Sequence, residues 1–124
     1  MKEVDTRKVG RLGLAWTFAT GILEGHEGAP LVVDGTMYVL TPFPNTLFAL
    51  GLTQPGAPAK WSYAPPFIPA APGVSCCGHV NRGPAYADGT IYFATLDNQV
   101  AAVDAATGSG RWRVTVGAIG RGER

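Results

Sequence analysis

Charge is what this chain has least of. Only 15% of its 124 residues are Asp, Glu, Lys or Arg, and ten basic against nine acidic side chains leave a formal net charge of +1. Beyond the loose cluster Lys2, Arg7, Lys8 and Arg11 there is no run of like charge. Nothing therefore builds the field that nucleic acid or an anionic membrane requires, and neither is expected as a partner. Long apolar runs are missing as well: no stretch reaches the roughly 18 residues of a spanning helix. The opening MKEVDTRKVGRLGLA lacks the basic-then-apolar order of a secretory leader. The chain is expected either to be cytosolic or to have been separated from a leader and more. Cysteine is nearly absent, at two residues.

Helical periodicity is also scarce. Apart from an amphipathic possibility at Val4 to Leu14, no window keeps apolar residues at i, i+3, i+4 and i+7. Seventeen glycines and ten prolines punctuate the chain too often for long helices. With 46% hydrophobic residues it has the material for a core, and its length allows one folding unit at most. The expected class is all-β. Short runs bounded by turn residues read as strands at Leu14 to Ala19, Pro30 to Val33, Thr36 to Thr41, Thr46 to Leu50, Pro84 to Tyr86, Thr90 to Thr95, Val100 to Val103 and Arg111 to Val116.

Two junctions are Asp-Gly, at Asp34-Gly35 and Asp88-Gly89, each between an apolar run and a β-branched or aromatic one. This is a strong hairpin signal, because both central positions of a type I′ turn need positive φ. The hairpins belong to a longer repeat. "GAPLVVDGTMYVLTPFPNTLFALGLTQPGAPAKW" runs parallel to "GPAYADGTIYFATLDNQVAAVDAATGSGRW", sharing Asp-Gly-Thr, an aromatic strand, a turn, an Ala-containing strand, a Gly turn and then Trp. The offset is 54 residues at the Asp-Gly pairs and 51 between Trp61 and Trp112, and Trp16 precedes Trp61 by 45. Repeats of about 40 to 50 residues holding about four strands are the mark of β-propeller blades, which must stack on neighbours to cover their faces. The repeat units are placed at about residues 14–61 and 62–116. The competing reading is a self-contained antiparallel sandwich whose hairpins share turn chemistry. Propellers close with about four to eight blades, so a chain with about two blades reads as a portion of a longer protein.

The two cysteines, Cys76 and Cys77, are adjacent in "SCCGHVNRG". Adjacent Cα atoms lie about 3.8 Å apart, against about 4.4 to 6.8 Å in ordinary disulfides. A bond between them would close a strained eight-membered ring, stabilising little because the loop it closes has almost no entropy to lose. Such a pair suggests a flat sulfur surface or a redox switch. Two reduced cysteines packed as small apolar residues remain the alternative, and the one favoured by residue type alone. Zinc is not expected, since only His26 and His79 could add soft ligands and no paired spacing exists. Both histidines read as structural or hydrogen-bonding groups.

The blocks "GHEGAPLVVDGTMYVLTPFPN", "CCGHVNRG" and "LDNQVAAVDAATGSGRWRV" resemble the N-terminal part of pyrroloquinoline quinone (PQQ)-dependent alcohol dehydrogenases, the methanol-dehydrogenase-like quinoproteins, in order and spacing from about Val9 to Glu123. The resemblance implies an eight-bladed propeller, of which this chain holds about two blades. "AAVDAATGSGRW" matches the blade-docking motif Ala-x-Asp-x-x-Thr-Gly-x-x-x-Trp. "FALGLTQPGAPAKW" is a copy that has lost the Asp and the Thr-Gly but keeps Ala49 and Trp61.

The resemblance further implies that Cys76 and Cys77 form a vicinal disulfide lying against one face of PQQ. It implies that Arg82 contacts a PQQ carboxylate, and that Glu27 sits near the cofactor edge and pairs with Arg82. It assigns no catalytic residue and no metal ligand to this chain, placing the metal ligands, the aspartate base and the tryptophan on the other PQQ face beyond residue 124. The implied whole is a periplasmic enzyme that oxidises a primary alcohol to an aldehyde with Ca²⁺ or a lanthanide and passes electrons to a cytochrome c. Gly78 and His79 follow the cysteine pair where the family usually carries an acidic residue, leaving the subfamily and the alcohol open. Two further readings are a non-enzymatic propeller of the outer-membrane assembly lipoprotein type and a free-standing redox switch.

Overall fold

A computed structural model describes residues 5–67, 69 and 81–117. Its strands are β1 (Leu31–Val33), β2 (Thr36–Leu40), β3 (Leu47–Gly51), β4 (Ala59–Tyr63), β5 (Ala85–Ala87), β6 (Thr90–Ala94), β7 (Gln99–Asp104) and β8 (Gly110–Thr115). They form two four-stranded antiparallel sheets, each in simple sequence order. Both Asp-Gly junctions adopt the positive φ expected of them: 49° and 75° at Asp34-Gly35, and 46° and 76° at Asp88-Gly89.

The two sheets repeat in detail. In the first, Tyr38 pairs with Ala49 and Ala49 with Trp61; in the second, Tyr92 pairs with Ala102 and Ala102 with Trp112. The Tyr38 and Trp61 rings lie 5.8 Å apart and 45° inclined, and those of Tyr92 and Trp112 lie 6.0 Å apart and 48° inclined. The ladder slips at the same place in each, between Ala49 and Leu50 and between Ala102 and Val103.

Because side chains alternate along a strand, each sheet has two apolar faces. Tyr38, Leu40, Leu47 and Ala49 of the first pack against Ile91, Phe93, Ala101 and Val103 of the second to make the core, with Trp61 and Tyr63 beside them. The opposite face of the first sheet, Met37, Val39 and Leu50, faces Trp16 and Phe18, and Phe18 meets Phe48 edge-on at 5.0 Å. The opposite face of the second sheet is open: Trp112 is 47% and Val114 48% exposed.

The structure differs from expectation at three places. Leu14 to Ala19 is not a strand: it lies across a sheet face, where ladder hydrogen bonds have no partner, rather than along an edge. The strand Ala59–Tyr63 was not foreseen, because its exposed and half-buried residues show no apolar run. Of the possible helix at Val4 to Leu14, Val4 lies outside the described residues and the rest shows a single 3₁₀ turn, Val9–Arg11, with no buried residue.

The sheets are joined by the turn between β7 and β8. Asp104 organises it: one carboxylate oxygen accepts from the Ala106 and Thr107 N–H groups, both at 3.0 Å, and the other accepts from Arg111 at 2.7 Å. The turn thereby presents the Ala105 carbonyl, which accepts the Tyr38 hydroxyl at 3.0 Å and the Trp61 indole N–H at 3.2 Å. Gly108, at φ 78°, lies under the Trp61 ring, where a Cβ would come within 2.6 Å of two ring carbons. In the first sheet the matching turn is reshaped: Gly51 stands at the Asp104 position and Ala57, at φ 48°, precedes Pro58.

Candidate cofactor-binding site

The predicted site residues belong to two segments separated in sequence. Glu27 lies in the segment leading into β1, and Arg82 in the segment leading into β5. The fold brings these segments together backbone to backbone. The Ala29 N–H donates to the Arg82 carbonyl at 3.0 Å. A Cβ on Gly28 would stand 3.0 Å from the Asn81 carbonyl oxygen, and one on Gly83 only 2.6 Å from that of Ala29. Gly83 also has φ 115°, a conformation nearly reserved for glycine. Gly28 and Gly83, the closing glycines of Gly-His-Glu-Gly and Asn-Arg-Gly, are thus needed where the two segments meet.

Glu27 and Arg82 are carried by residues adjacent to this contact, and both are exposed. Among the described residues no ion pair joins them. The structure therefore shows shared backbone placement of the two charges and not the side-chain pairing that the resemblance implies. Cys76, Cys77 and His79 lie outside the described residues.

The loop segment is held by a residue whose role the sequence reading did not assign. Asn81 donates from Nδ2 to the Ala94 carbonyl at 2.7 Å and accepts the Gly83 N–H on Oδ1 at 3.0 Å. The second bond is an Asx turn, a habit of Asn two residues before the N–H it holds, so the signal was present in Asn-Arg-Gly. His26 has Nδ1 2.8 Å from the Glu24 carbonyl and Nε2 2.9 Å from the Thr20 hydroxyl. Nδ1–H donates to the carbonyl, and Nε2 accepts from the hydroxyl.

Asn81, Arg82 and Gly83 sit at the sheet end formed by the β2–β3 and β6–β7 turns. There Asn45, buried and at φ 66°, accepts the Leu96 N–H on its side-chain oxygen at 3.0 Å and donates to the Thr41 carbonyl at 3.2 Å. It fastens one turn to the next. Buried Asp97 accepts from the Thr95 hydroxyl and, at 2.7 Å, from Gln99 Nε2.

A cleft of about 370 Å³ opens at the opposite end, between the Asp-Gly turns, lined by Asp34, Lys60, Asp104 and Arg111 among others. Its charges are largely engaged locally, Arg111 on Asp104 at 2.7 Å and Lys60 on the Thr36 hydroxyl at 3.1 Å. The Arg111 guanidinium, followed by the Thr107 and Ala106 N–H groups, lowers the Asp104 pKa from 3.8 to about 2. Burial, followed by the nearby Tyr86, raises that of Tyr38. Among the described residues no group of three or more His, Cys, Asp or Glu could hold a metal ion, and no helix is long and apolar enough to cross a membrane.

This geometry, two stacked four-stranded sheets locked through a Trp–Gly contact, defines two blades of a β-propeller that does not close within the chain. No protein-family model matches the sequence. Over 123 residues it is 48% identical to a lanthanide-dependent methanol dehydrogenase of Methylacidiphilum fumariolicum (strain SolV), covering 99% of this chain and 20% of that protein. It is 50% identical over 120 residues to subunit 1 of the cytochrome c methanol dehydrogenase of Methylorubrum extorquens, covering 92% and 19%. Among solved structures, a europium-containing methanol dehydrogenase superposes with a TM-score of 0.94 at 48% identity, over 97% of this chain and 21% of that one. BamB from Moraxella catarrhalis gives 0.56 at 26% identity, over 71% and 24%.

The chain is a homologue of part of the methanol dehydrogenases and quinohemoprotein alcohol dehydrogenases. It spans about a fifth of the length of the relatives it matches.

Proposed function

We propose that this chain forms one wall of a PQQ pocket in an alcohol dehydrogenase that oxidises a primary alcohol, methanol or a similar one, to the aldehyde. The observation that carries the reading is the backbone contact between Ala29 and Arg82, which sets Glu27 and Arg82 on adjoining segments at one end of the sheets.

The donor set fits the group. PQQ carries three carboxylates and an ortho-quinone on a planar frame, so its pocket needs a fixed cation with a planar fork. Arg82 is an exposed guanidinium on a loop tied down on both sides. It would hold a carboxylate, Glu27 would lie near the cofactor edge, and Cys76 with Cys77, as a vicinal disulfide, would cover one ring face. When bound, PQQ supplies the two-electron acceptor for the alcohol. This chain's part is to bind and orient the cofactor and to exclude water from one side of it.

The proposal extends to the rest of the enzyme. Residues 14–61 and 62–116 are its repeat units, a Ca²⁺ or lanthanide ion is held by residues outside this chain, and a cytochrome c takes the electrons in the periplasm. One named relative being lanthanide-dependent and another cytochrome c-linked supports both calls without choosing the metal. The likeness to BamB favours a second reading, a propeller scaffold without a cofactor. The Glu27 and Cys76–Arg82 blocks weigh against it, since a scaffold has no need of them.

Fluorescence titration of PQQ with the purified chain tests the proposal. The chain should bind PQQ, and Arg82→Ala and the double variant Cys76→Ser, Cys77→Ser should each weaken binding about tenfold, or about 1.4 kcal/mol. Equal binding by all three chains, or none by any, contradicts it. The purified chain should show no PQQ-dependent alcohol oxidation, because the proposed base and metal ligands lie elsewhere; turnover would refute that assignment.

A further inference from the structure

We infer that Asn81 is a positioning residue that presents Arg82 to an anionic ligand, a role that rests on the PQQ-wall reading above. Arg82 belongs to no regular element: it precedes β5 by three residues, and an exposed loop side chain has no fixed direction of its own. Its backbone, in contrast, is fixed at three points. Asn81 Nδ2 donates to the carbonyl of Ala94, the last residue of β6, at 2.7 Å. Asn81 Oδ1 accepts from the Gly83 N–H at 3.0 Å. The Arg82 carbonyl accepts from Ala29 at 3.0 Å.

Two of the three bonds use the one side chain. Asn81 spans Arg82, bonding the strand end on one side and the following amide on the other, so the Arg82 peptide planes are referred to the rigid second sheet. No other neutral side chain of this length has both a donor and a carbonyl-type acceptor. Asp keeps the acceptor and loses the donor, setting a carboxylate against the Ala94 carbonyl; Ala loses both. Gly28 and Gly83 make the arrangement possible by letting the Glu27 segment approach to backbone contact. An arginine held this way loses less freedom on meeting a carboxylate, which is how preorganisation raises affinity.

The test uses the full chain, isotopically labelled, with PQQ as the probe and two independent readouts. Amide hydrogen exchange reports the loop: Asn81→Ala should speed exchange at Gly83 and Ala29 about fivefold to tenfold, the equivalent of one hydrogen bond, while amides of β2 and β6 stay unchanged. Asn81→Asp should keep Gly83 protected. The Arg82 Nε resonance reports the ligand: PQQ should shift it in the wild type, and Asn81→Ala should raise the half-saturating PQQ concentration about fivefold or more.

Unchanged exchange at Gly83 and Ala29 in Asn81→Ala overturns the inference. So does faster exchange with the PQQ response intact, provided Arg82→Ala weakens binding; the cofactor reading then survives. If the wild type and Arg82→Ala bind PQQ alike in the fluorescence titration, the cofactor reading itself fails and the ligand half of the inference falls with it.

Discussion

Trp61 lies over Gly108 so closely that a Cβ at that glycine would stand 2.6 Å from two indole carbons. Trp61 ends the first sheet and Gly108 turns the second, so this contact, with the two hydrogen bonds to the Ala105 carbonyl, ties one blade to the next. Gly108→Ala adds the clash and a left-handed φ of 78°, and should cost about 1–3 kcal/mol. Urea unfolding followed by tryptophan fluorescence measures it; an unchanged midpoint would remove this contact from the docking account.

The two sheets contain the same Tyr–Ala–Trp row, yet only one row is covered. Trp61→Ala should therefore cost about 3–5 kcal/mol, whereas Trp112→Ala, at a residue already 47% exposed, should cost about 1 kcal/mol in this chain. Equal losses in denaturant unfolding would contradict the assignment of inner and outer faces.

Asp104 gives the docking turn a pH dependence. Its folded pKa, lowered from 3.8 to about 2 chiefly by Arg111, means that its contribution is present above about pH 4 and is lost as pH falls through about 2. Asp104→Asn should be less stable than the wild type at pH 7, and the difference should shrink between pH 4 and 2. A difference constant across that window would show that the carboxylate charge is not what organises the turn.

Removing only the Tyr38 hydroxyl isolates one of the two bonds to Ala105. Tyr38→Phe leaves the core ring in place and the Ala105 carbonyl with Trp61, so the loss should be about 1 kcal/mol. A loss above about 3 kcal/mol would mean the ring itself had moved.

Much of this architecture is legible in residues whose conformation has a local cause. Asp34-Gly35 and Asp88-Gly89 announce hairpins because few other pairs accept positive φ twice, and the structure has both. The docking motif around Asp104, Gly108 and Trp112 is legible only through its likeness to a family, and the structure gives the turn its local cause in the Asp104 carboxylate. Legibility ends where tertiary contact decides. Leu14 to Ala19 has strand composition but covers a face, with Phe18 against Phe48. Ala59–Tyr63 has little strand pattern, yet it pairs along β3 because that edge is available. At the site, Glu27 and Arg82 follow from likeness to a family and the Asn81 turn from the local habit of Asn-Arg-Gly, whereas the need for Gly28 and Gly83 becomes evident only when the backbones meet.

The measurement closest to the central claim is a residue-by-residue chemical-shift map of the labelled chain during PQQ titration. The account predicts shifts at residues 27–29 and 81–83, and none at the Asp34-Gly35 and Asp88-Gly89 turns at the far end of the sheets. No shift at Glu27 or Arg82, or shifts confined to the cleft around Lys60 and Arg111, would contradict it.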